Sequence, residues 1–459
     1  MDSMLFLIIL GSLTALYTVF GLMASWHVTS QTDYFLAGRS LSISAITATL
    51  LASQIGGGMF LGTAQAPFEG LLYALGIVLG FLGLGLGVAA RLRKFNVSIV
   101  SEIFEVTYQS RTLFFITSIL SVLSMAGIIV GQIIAAKSVF VHFVGIENNY
   151  IFLGFWSLII MYTMIGGLHA VVIADKLQIA FIIAIFSGIC LYSLWMRPDS
   201  FFSTQTATAL KMLWATAPLQ ASGIFNLVAM PFFFSFIEQD LAQRFFSASS
   251  QRAAAIAACL ASIFLLIFAF VPFYFGVEAQ LYFADVIDKQ NPLIPVLRSV
   301  TSPLFFACGV CGILAAITST ADSLLCAISS ILTSTLQRTN IGGTSLAFSR
   351  GVTLVTGVTT LIASYFVPQH ILGILTSSYE LSVSCLLVPL FGSFLLDDLR
   401  KNAALLSCLA GFTAFVFFKL PNNPWHTEWH FVITLGVSLL GYIVGHLFDT
   451  KRIVSWNIQ

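Results

Sequence analysis

Charge is what this sequence has least of. Among 459 residues, 20 are Lys or Arg and 19 are Asp or Glu, a charged fraction of 8% where soluble chains carry roughly a quarter. A hydrated protein surface cannot be built from so few charges, which excludes an ordinary soluble protein. The net charge of +1 and the lack of any basic run interleaved with aromatics leave nothing to attract nucleic acid. No Walker-type phosphate loop, nucleophile elbow or catalytic dyad occurs, so ATP-driven pumping and hydrolase chemistry are disfavoured and the chain does not read as an enzyme. The polar loops lack cysteine. All seven (Cys190, Cys259, Cys308, Cys311, Cys326, Cys385, Cys408) sit in or beside apolar segments, which argues against a disulfide framework. Cys308-x-x-Cys311 has redox spacing but no acid, histidine or second pair beside it, and reads as helix packing.

What is abundant is hydrocarbon: 58% hydrophobic residues, 43 of the residues Phe. Runs near the ~20 residues needed to cross a bilayer fall at 4–24, 42–65, 70–90, 113–141, 150–166, 172–196, 223–244, 253–276, 302–335, 347–367, 370–396, 403–419 and 429–448. They predict thirteen transmembrane helices in an all-α integral membrane protein. The first run lacks a basic n-region and is followed by another run of helix length, so it reads as a retained span rather than a cleaved signal. With that helix running inward, fourteen Lys and Arg, Arg244 among them, fall on predicted cytoplasmic connections and five on the opposite side. The asymmetry predicts an outside N-terminus and a cytoplasmic C-terminus. The sequon Asn96-Val97-Ser98 then lies inside and should be unused.

Five helices from 42 to 196 and five from 223 to 396 would enter the membrane from opposite faces, which permits an inverted repeat. The chain accordingly divides into an extra N-terminal helix and approach loop (1–40), a first repeat (41–196), an extracellular loop (197–222), a second repeat (223–396) and two C-terminal helices (397–459). Gly56-Gly57-Gly58 lies at mid-membrane depth in the second helix. Three glycines weaken a helix by about 1 kcal/mol each relative to alanine, and unwound backbone inside a membrane survives where it lines a cavity or is buried in protein. A broken helix is therefore predicted here. Gly76, Gly80, Gly83 and Gly87 have instead the spacing of close helix packing.

Ionisable groups at bilayer depth cost about 2.5 to 3.5 kcal/mol on insertion scales. Asp322 lies within Thr318-Ser319-Thr320-Ala321-Asp322-Ser323, whose hydroxyl and carboxylate oxygens suit a dehydrated hard cation. Back-bonding to the preceding turn accounts for one such hydroxyl but not for the whole run. Asp175, beside Lys176, reads equally as a solvated helix-end charge or a site residue. Asp240 and Arg244 are spaced to pair along a helix, whereas Glu238 has no partner in sequence. Lys137 and Glu380 either snorkel or pair. His169 reads as a helix-end histidine, and His426-x-Glu428-x-His430 lacks the spacing of a helix-face metal pair.

Three stretches together resemble the sodium:solute symporter family. Thr32-Asp-Tyr-Phe-Leu-Ala-Gly-Arg39-Ser40 is similar to the family's lead into its second helix. Gly166-Gly167-Leu168-His169-Ala170-Val171-Val172-x-x-Asp175-x-x-Gln178 resembles its Gly-Gly signature, and Ser319-Thr320-Ala321-Asp322-Ser323-Leu324-Leu325 with Ser329-Ser330 its ion-site helix. Members carry proline, sialic acid, sugars, choline, pantothenate and other small solutes, driven by sodium. The resemblance implies a five-plus-five inverted repeat of the leucine-transporter type, with one extra N-terminal and two extra C-terminal helices. It also implies a plasma (inner) membrane carrier that works as a monomer without a cofactor.

Carried over by position, it implies a principal sodium between the carbonyls of Ala52, Ile55 and Ala316 and the hydroxyls of Ser319 and Thr320. It allows a second sodium near Asp175, Asp322 and Ser323, as in some members. Solute contacts are implied at Gln54, Gly57, Met59, Phe234, Glu238 and Gln239. Where choline carriers of the family place an aromatic side chain on the broken helix this chain has Gln54, and where sugar carriers need polar side chains it has glycine. The expected solute is an amino acid or related zwitterion, its amino group facing Glu238. A choline, sugar or carboxylate carrier, an uncoupled facilitator and a solute sensor are the alternatives.

Overall fold

A computed structural model describes residues 2–144, 149–196, 211, 221–282, 293–339, 341–367, 371–420, 425, 427–449 and 453–454. The helices are α1 (Asp2–Ser25), α2 (Gln31–Leu36), α3 (Ile43–Gln54), α4 (Gly57–Gln65), α5 (Pro67–Gly83), α6 (Ala89–Lys94), α7 (Val100–Tyr108), α8 (Arg111–Val144) and α9 (Asn149–Met196). They continue as α10 (Ala221–Phe234), α11 (Gln239–Phe246), α12 (Gln251–Phe268), α13 (Phe270–Tyr282), α14 (Leu293–Val300), α15 (Pro303–Arg338), α16 (Leu346–Ala363), α17 (Ile371–Leu395), α18 (Lys401–Lys419) and α19 (His430–Phe448). Asp398–Leu399 and Ile453–Val454 form a two-residue antiparallel pair.

Among the described residues eleven helices are long and apolar enough to span a bilayer, and α3 with α4, bent by 45°, makes a twelfth. The runs 150–166 and 172–196, expected as separate helices, are the two arms of α9 on either side of a kink. Its 48 residues at about 1.5 Å each amount to more than twice the hydrocarbon thickness of ~30 Å, enough for two crossings. Its kink is at Gly167, with φ 55° and ψ −144°. A Cβ there would also lie 2.3 Å from the Tyr34 carbonyl oxygen, so both the left-handed backbone and the close approach of α2 require glycine.

α15 is the centre of the bundle. In its most apolar window 83% of residues are buried, against 28% in α1, α18 and α19. Small residues on every face, among them Gly312, Ala315, Ala316, Ser319, Ala321 and Ser323, let α8 and α9 close on it. α1 lies outside α9 and α15, while α18 and α19 pack on each other and on α17. Helix packing in lipid draws on such close contacts, since burying apolar groups from hydrocarbon gains little. Gly76 of α5 illustrates this: a Cβ on it would meet the Val228 carbonyl of α10 at 2.4 Å.

Two spans are interrupted. α3 stops at Gln54, Ile55 and Gly56 leave helical geometry, and α4 starts at Gly57, as the triple glycine predicts. A Cβ on Gly56 would lie 2.3 Å from Thr320 Oγ1 of α15, so glycine here both opens the helix and admits its neighbour. The second interruption separates α10 from α11. Pro231 inside α10 has no N–H to give, residues 235–238 turn, and Glu238 (φ −68°, ψ 124°) is the N-cap of α11. α3 and α11 are tied at one end, where the Leu41 N–H donates to the Ser247 carbonyl at 3.0 Å and Ser249 N–H donates to the Leu41 carbonyl at 3.0 Å.

Candidate solute and cation site

The first break faces the hydroxyl run of α15. Ser319 Oγ lies 2.7 Å from the Ala52 carbonyl and 2.9 Å from that of Ala316. Thr320 Oγ1 lies 2.8 Å from the Ser53 carbonyl and 3.2 Å from that of Ala316. Four of the oxygens expected around the principal sodium, from Ala52, Ala316, Ser319 and Thr320, therefore converge. Ile55 is fully buried beside them, and the Ser53 carbonyl is an oxygen the sequence did not single out. Each hydroxyl turned toward an ion would present its lone pair and give up a bond to a carbonyl, producing a cage of neutral hard oxygens.

The Gly57 N–H, opened by the same break, donates to the side-chain oxygen of buried Gln132 in α8 at 3.2 Å. This amide of the glycine run is therefore already committed to a side chain. Gln132 was legible only as a lone amide in an apolar run. Met59 is buried one turn further along.

Beside the hydroxyl cage lies a centre of fixed charge. Asp175 and Arg244 are both fully buried, with Arg244 Nη2 3.8 Å from Asp175 Oδ2. Asp175 accepts a hydrogen bond from Thr49 Oγ1 of α3. Arg244 donates through Nε to Thr49 at 3.3 Å, through Nη1 to the Asp240 carbonyl at 2.6 Å and through Nη2 to Ser323 Oγ. One guanidinium thus holds α3, α9, α11 and α15 together. Ser323 also takes the Ser53 hydroxyl at 3.0 Å, and Asp322 takes the phenol of Tyr162.

Two expectations change here. Arg244 is not a residue of a cytoplasmic connection, since it points into the core from the last turn of α11. Its carboxylate partner is Asp175, not Asp240, because the i, i+4 contact reaches only the Asp240 main chain. Of the residues expected around a second sodium, Ser323 and Asp175 already face the Arg244 guanidinium, and Asp322 faces Tyr162. Asp175 is an interior charge, which settles its two readings against the solvated helix end.

At the second break, Phe234 and Glu238 are buried. The Phe234 ring stacks on Tyr379 of α17, centroids 4.1 Å apart at 23°, and the Tyr379 hydroxyl meets that of Tyr73 of α5 at 2.8 Å. Gln54 hydrogen-bonds the Glu238 side chain. Gln54, Phe234 and Glu238 are thus brought together, joined by two tyrosines that sequence reasoning missed for want of any motif. Gln239 belongs elsewhere. Its Oε1 receives the Val100 amide at 2.7 Å and its Nε2 donates to the Ser98 carbonyl at 3.2 Å. Both ends of its side chain are hydrogen-bonded to the segment before α7.

The other singled-out charges have local partners. Lys137 sits 3.9 Å over the Tyr365 ring, and Glu380 takes Lys419 at 3.0 Å and His430 at 3.4 Å. His426 lies outside the described residues, while Glu428 accepts from Ser222 at 2.5 Å. The described residues contain no group of three metal-ligating side chains, and all seven cysteines are unpaired.

The sequence pattern of the sodium:solute symporter family matches residues 34–411. The chain belongs to that family. Its members are carriers rather than enzymes. The chain is 29% identical over 156 residues to the sodium/pantothenate symporter of Escherichia coli (strain K12), a match spanning 32% of each protein. In three dimensions it is similar to a Na+-coupled sialic acid symporter in its substrate-bound outward-open state (TM-score 0.84, 16% identity, 98% of this chain and 99% of that one). It is also similar to Mhp1, a nucleobase-cation-symport-1 family transporter, in a closed conformation with bromovinylhydantoin bound (TM-score 0.62, 15% identity, 90% and 93%). At these identities the likeness concerns the fold, an all-α membrane bundle of the leucine-transporter type.

Proposed function

We propose that this chain is a secondary active transporter that couples sodium entry to symport of a small organic solute by alternating access. The observation that carries the reading is the meeting of the first broken helix with the α15 hydroxyls: Ala52, Ser53, Ala316, Ser319 and Thr320 present neutral oxygens on two elements that separate if one arm of the bundle moves. An ion bound between them would hold those elements together and so couple its own binding to closure around a solute. Such coupling is reciprocal.

The solute pocket in this reading lies between the two breaks, with Gln54, Gly57 and Met59 on one side and Phe234 and Glu238 on the other. Glu238 would face a positively charged nitrogen, which fits an amino acid or a related zwitterion. Pantothenate and sialic acid, for which two relatives are named, are carboxylic acids. A carboxylate finds no free base here, since Arg244 is the one buried base among the described residues and is fully engaged. The fourteen-to-five bias of Lys and Arg, less Arg244, supports a cytoplasmic C-terminus in a plasma (inner) membrane.

One charge crossing 100 mV gains about 2.3 kcal/mol, and a tenfold sodium gradient adds about 1.4 kcal/mol. One sodium could thus sustain about a few-hundredfold accumulation of a zwitterion. Purified protein in liposomes tests this through uptake of labelled proline and of labelled choline, with sodium or potassium outside and the potential clamped. Sodium-dependent, potential-sensitive uptake is expected. Equal uptake in potassium would make the chain an uncoupled facilitator.

A further inference from the structure

Between α1, α9 and α15 the bundle leaves a cavity whose polar lining is Thr14 and Tyr17 of α1, Tyr162 and Gln178 of α9 and Thr318 of α15. The centre of a water-sized sphere has about 10 Å³ of it to occupy. That is room for one water molecule or for a bare sodium ion, which is smaller. Two of the lining side chains lack a partner. Tyr17 is 7% exposed and Gln178 0%, yet neither the Tyr17 hydroxyl nor Gln178 Oε1 meets a hydrogen-bonding group among the described residues. Buried side-chain oxygens are seldom left so, and an unpaired polar group at membrane depth points to something that visits it.

The neighbouring hydroxyls have already placed their protons. Tyr162 donates its phenol to Asp322, and Thr318 donates to the Ala315 carbonyl at 3.2 Å while accepting from Gln178 Nε2 at 3.1 Å. The Cys311 thiol, also on the wall, donates to the Phe6 carbonyl at 3.8 Å. Lone pairs are therefore in surplus on Tyr162, Thr318 and Gln178. A water molecule would satisfy the oxygens, and charge separates the two occupants. Asp175 and Asp322, both fully buried, interact with the single guanidinium of Arg244, so the pair is one positive charge short. Asp322 stands one helical turn from Thr318 on the same face of α15, and the Tyr162 phenol joins its carboxylate to the cavity. A cation among these oxygens would supply the missing charge one phenol away.

We propose that this cavity is a second site for a hard monovalent cation, held by oxygens of Tyr17, Tyr162, Gln178 and Thr318 with Asp322 as its counter-charge. In the symporter reading, on which this rests and which it deepens, the ion is sodium. The site differs from the place that the resemblance allows, where Asp175 and Ser323 are turned to Arg244 instead. It also takes a ligand from α1, which packs outside α9 and α15, and so gives that helix a part in ion binding.

The test counts sodium ions on the purified full chain without solute, by equilibrium binding of radioactive sodium. The wild type should hold two ions per chain. Tyr17→Phe and Gln178→Met, which remove oxygen and nearly keep bulk, should each hold one at the sodium concentration that just saturates the wild type, the other ion binding about tenfold or more weakly. Adding Ser319→Ala to either variant should weaken the remaining ion as well. A single ion in the wild type, lost in Ser319→Ala but not in the cavity variants, would mean that the cavity holds water only; it overturns the proposal and leaves the symporter reading standing. A count of two that either cavity variant keeps would also overturn it. If Tyr17→Phe does not fold, the wild-type count and Gln178→Met decide the matter. No bound sodium in the wild type would overturn the symporter reading and this site together.

Discussion

The two broken helices open backbone inside the membrane and leave different chemistry behind. At Gly56 the gap is lined by carbonyls of α3 and hydroxyls of α15, every partner is neutral, and the geometry needs glycine because Thr320 comes so close. At 235–238 the gap is lined by Glu238, Asp240 and aromatic rings, with Arg244 and Asp175 one turn away. The difference separates two tasks. A site of neutral oxygens holds a small ion through its size and dehydration, whereas a site of fixed charges selects a larger partner by its sign and shape.

The guanidinium that braces the charged side should be the most sensitive point. Arg244→Gln leaves Asp175 buried without its counter-charge and should cost about 3 to 5 kcal/mol, read as a large fall in melting temperature or loss of folded protein in detergent. Asp175→Asn alone should cost nearly as much, and the double variant Arg244→Gln/Asp175→Asn should recover part of the loss. A variant Arg244→Gln as stable as the wild type would show that the charged side is not braced in this way.

Next in size is Glu238→Gln, which keeps shape and hydrogen bonding but removes a charge. Loss of a charge-assisted hydrogen bond weakens binding by about 1.5 to 3 kcal/mol, so solute affinity should drop by at least about tenfold with melting temperature little changed. Sodium affinity without solute should hold, which keeps the two breaks distinct. If stability falls and solute affinity does not, Glu238 is part of the bracing and leaves the solute site.

The amide ends of Gln132 and Gln239 show how far the sequence could be read. The break and the hydroxyl run were legible because glycine and serine have strong local meaning at membrane depth, whereas their meeting was implied by the family resemblance. The surroundings of Gln239 were not legible because position along a helix does not say which way a side chain turns, and its two bonds go to main chain more than 130 residues away. Arg244 was read as a loop residue for a related reason: its nearest carboxylate in sequence is Asp240, while its partner Asp175 arrives from α9 through the tertiary fold. The separate runs at 150–166 and 172–196 were legible because the polar and glycine-rich stretch between them includes Gly167, whose backbone leaves helical geometry and kinks α9. Tyr73 and Tyr379 carry no motif, and only packing reveals them.

Smaller effects should sharpen the contrast further. Gln239→Ala removes the latch on Ser98 and Val100 and should cost about 1 to 2 kcal/mol of stability while leaving solute affinity unchanged, as thermal unfolding and titration on one preparation would show. A solute defect with normal stability would return Gln239 to the pocket.

The claim on which the rest depends is that the first break with α15 binds sodium, and it can be measured without knowing the solute. Purified protein in potassium buffer is titrated with sodium while its melting temperature is followed, for the wild type and for Ser319→Ala and Thr320→Ala. The wild type should show a saturable, sodium-specific rise in melting temperature, shifted to higher sodium in each variant. An equal response to sodium and potassium, or a sodium response untouched by both substitutions, would contradict the account.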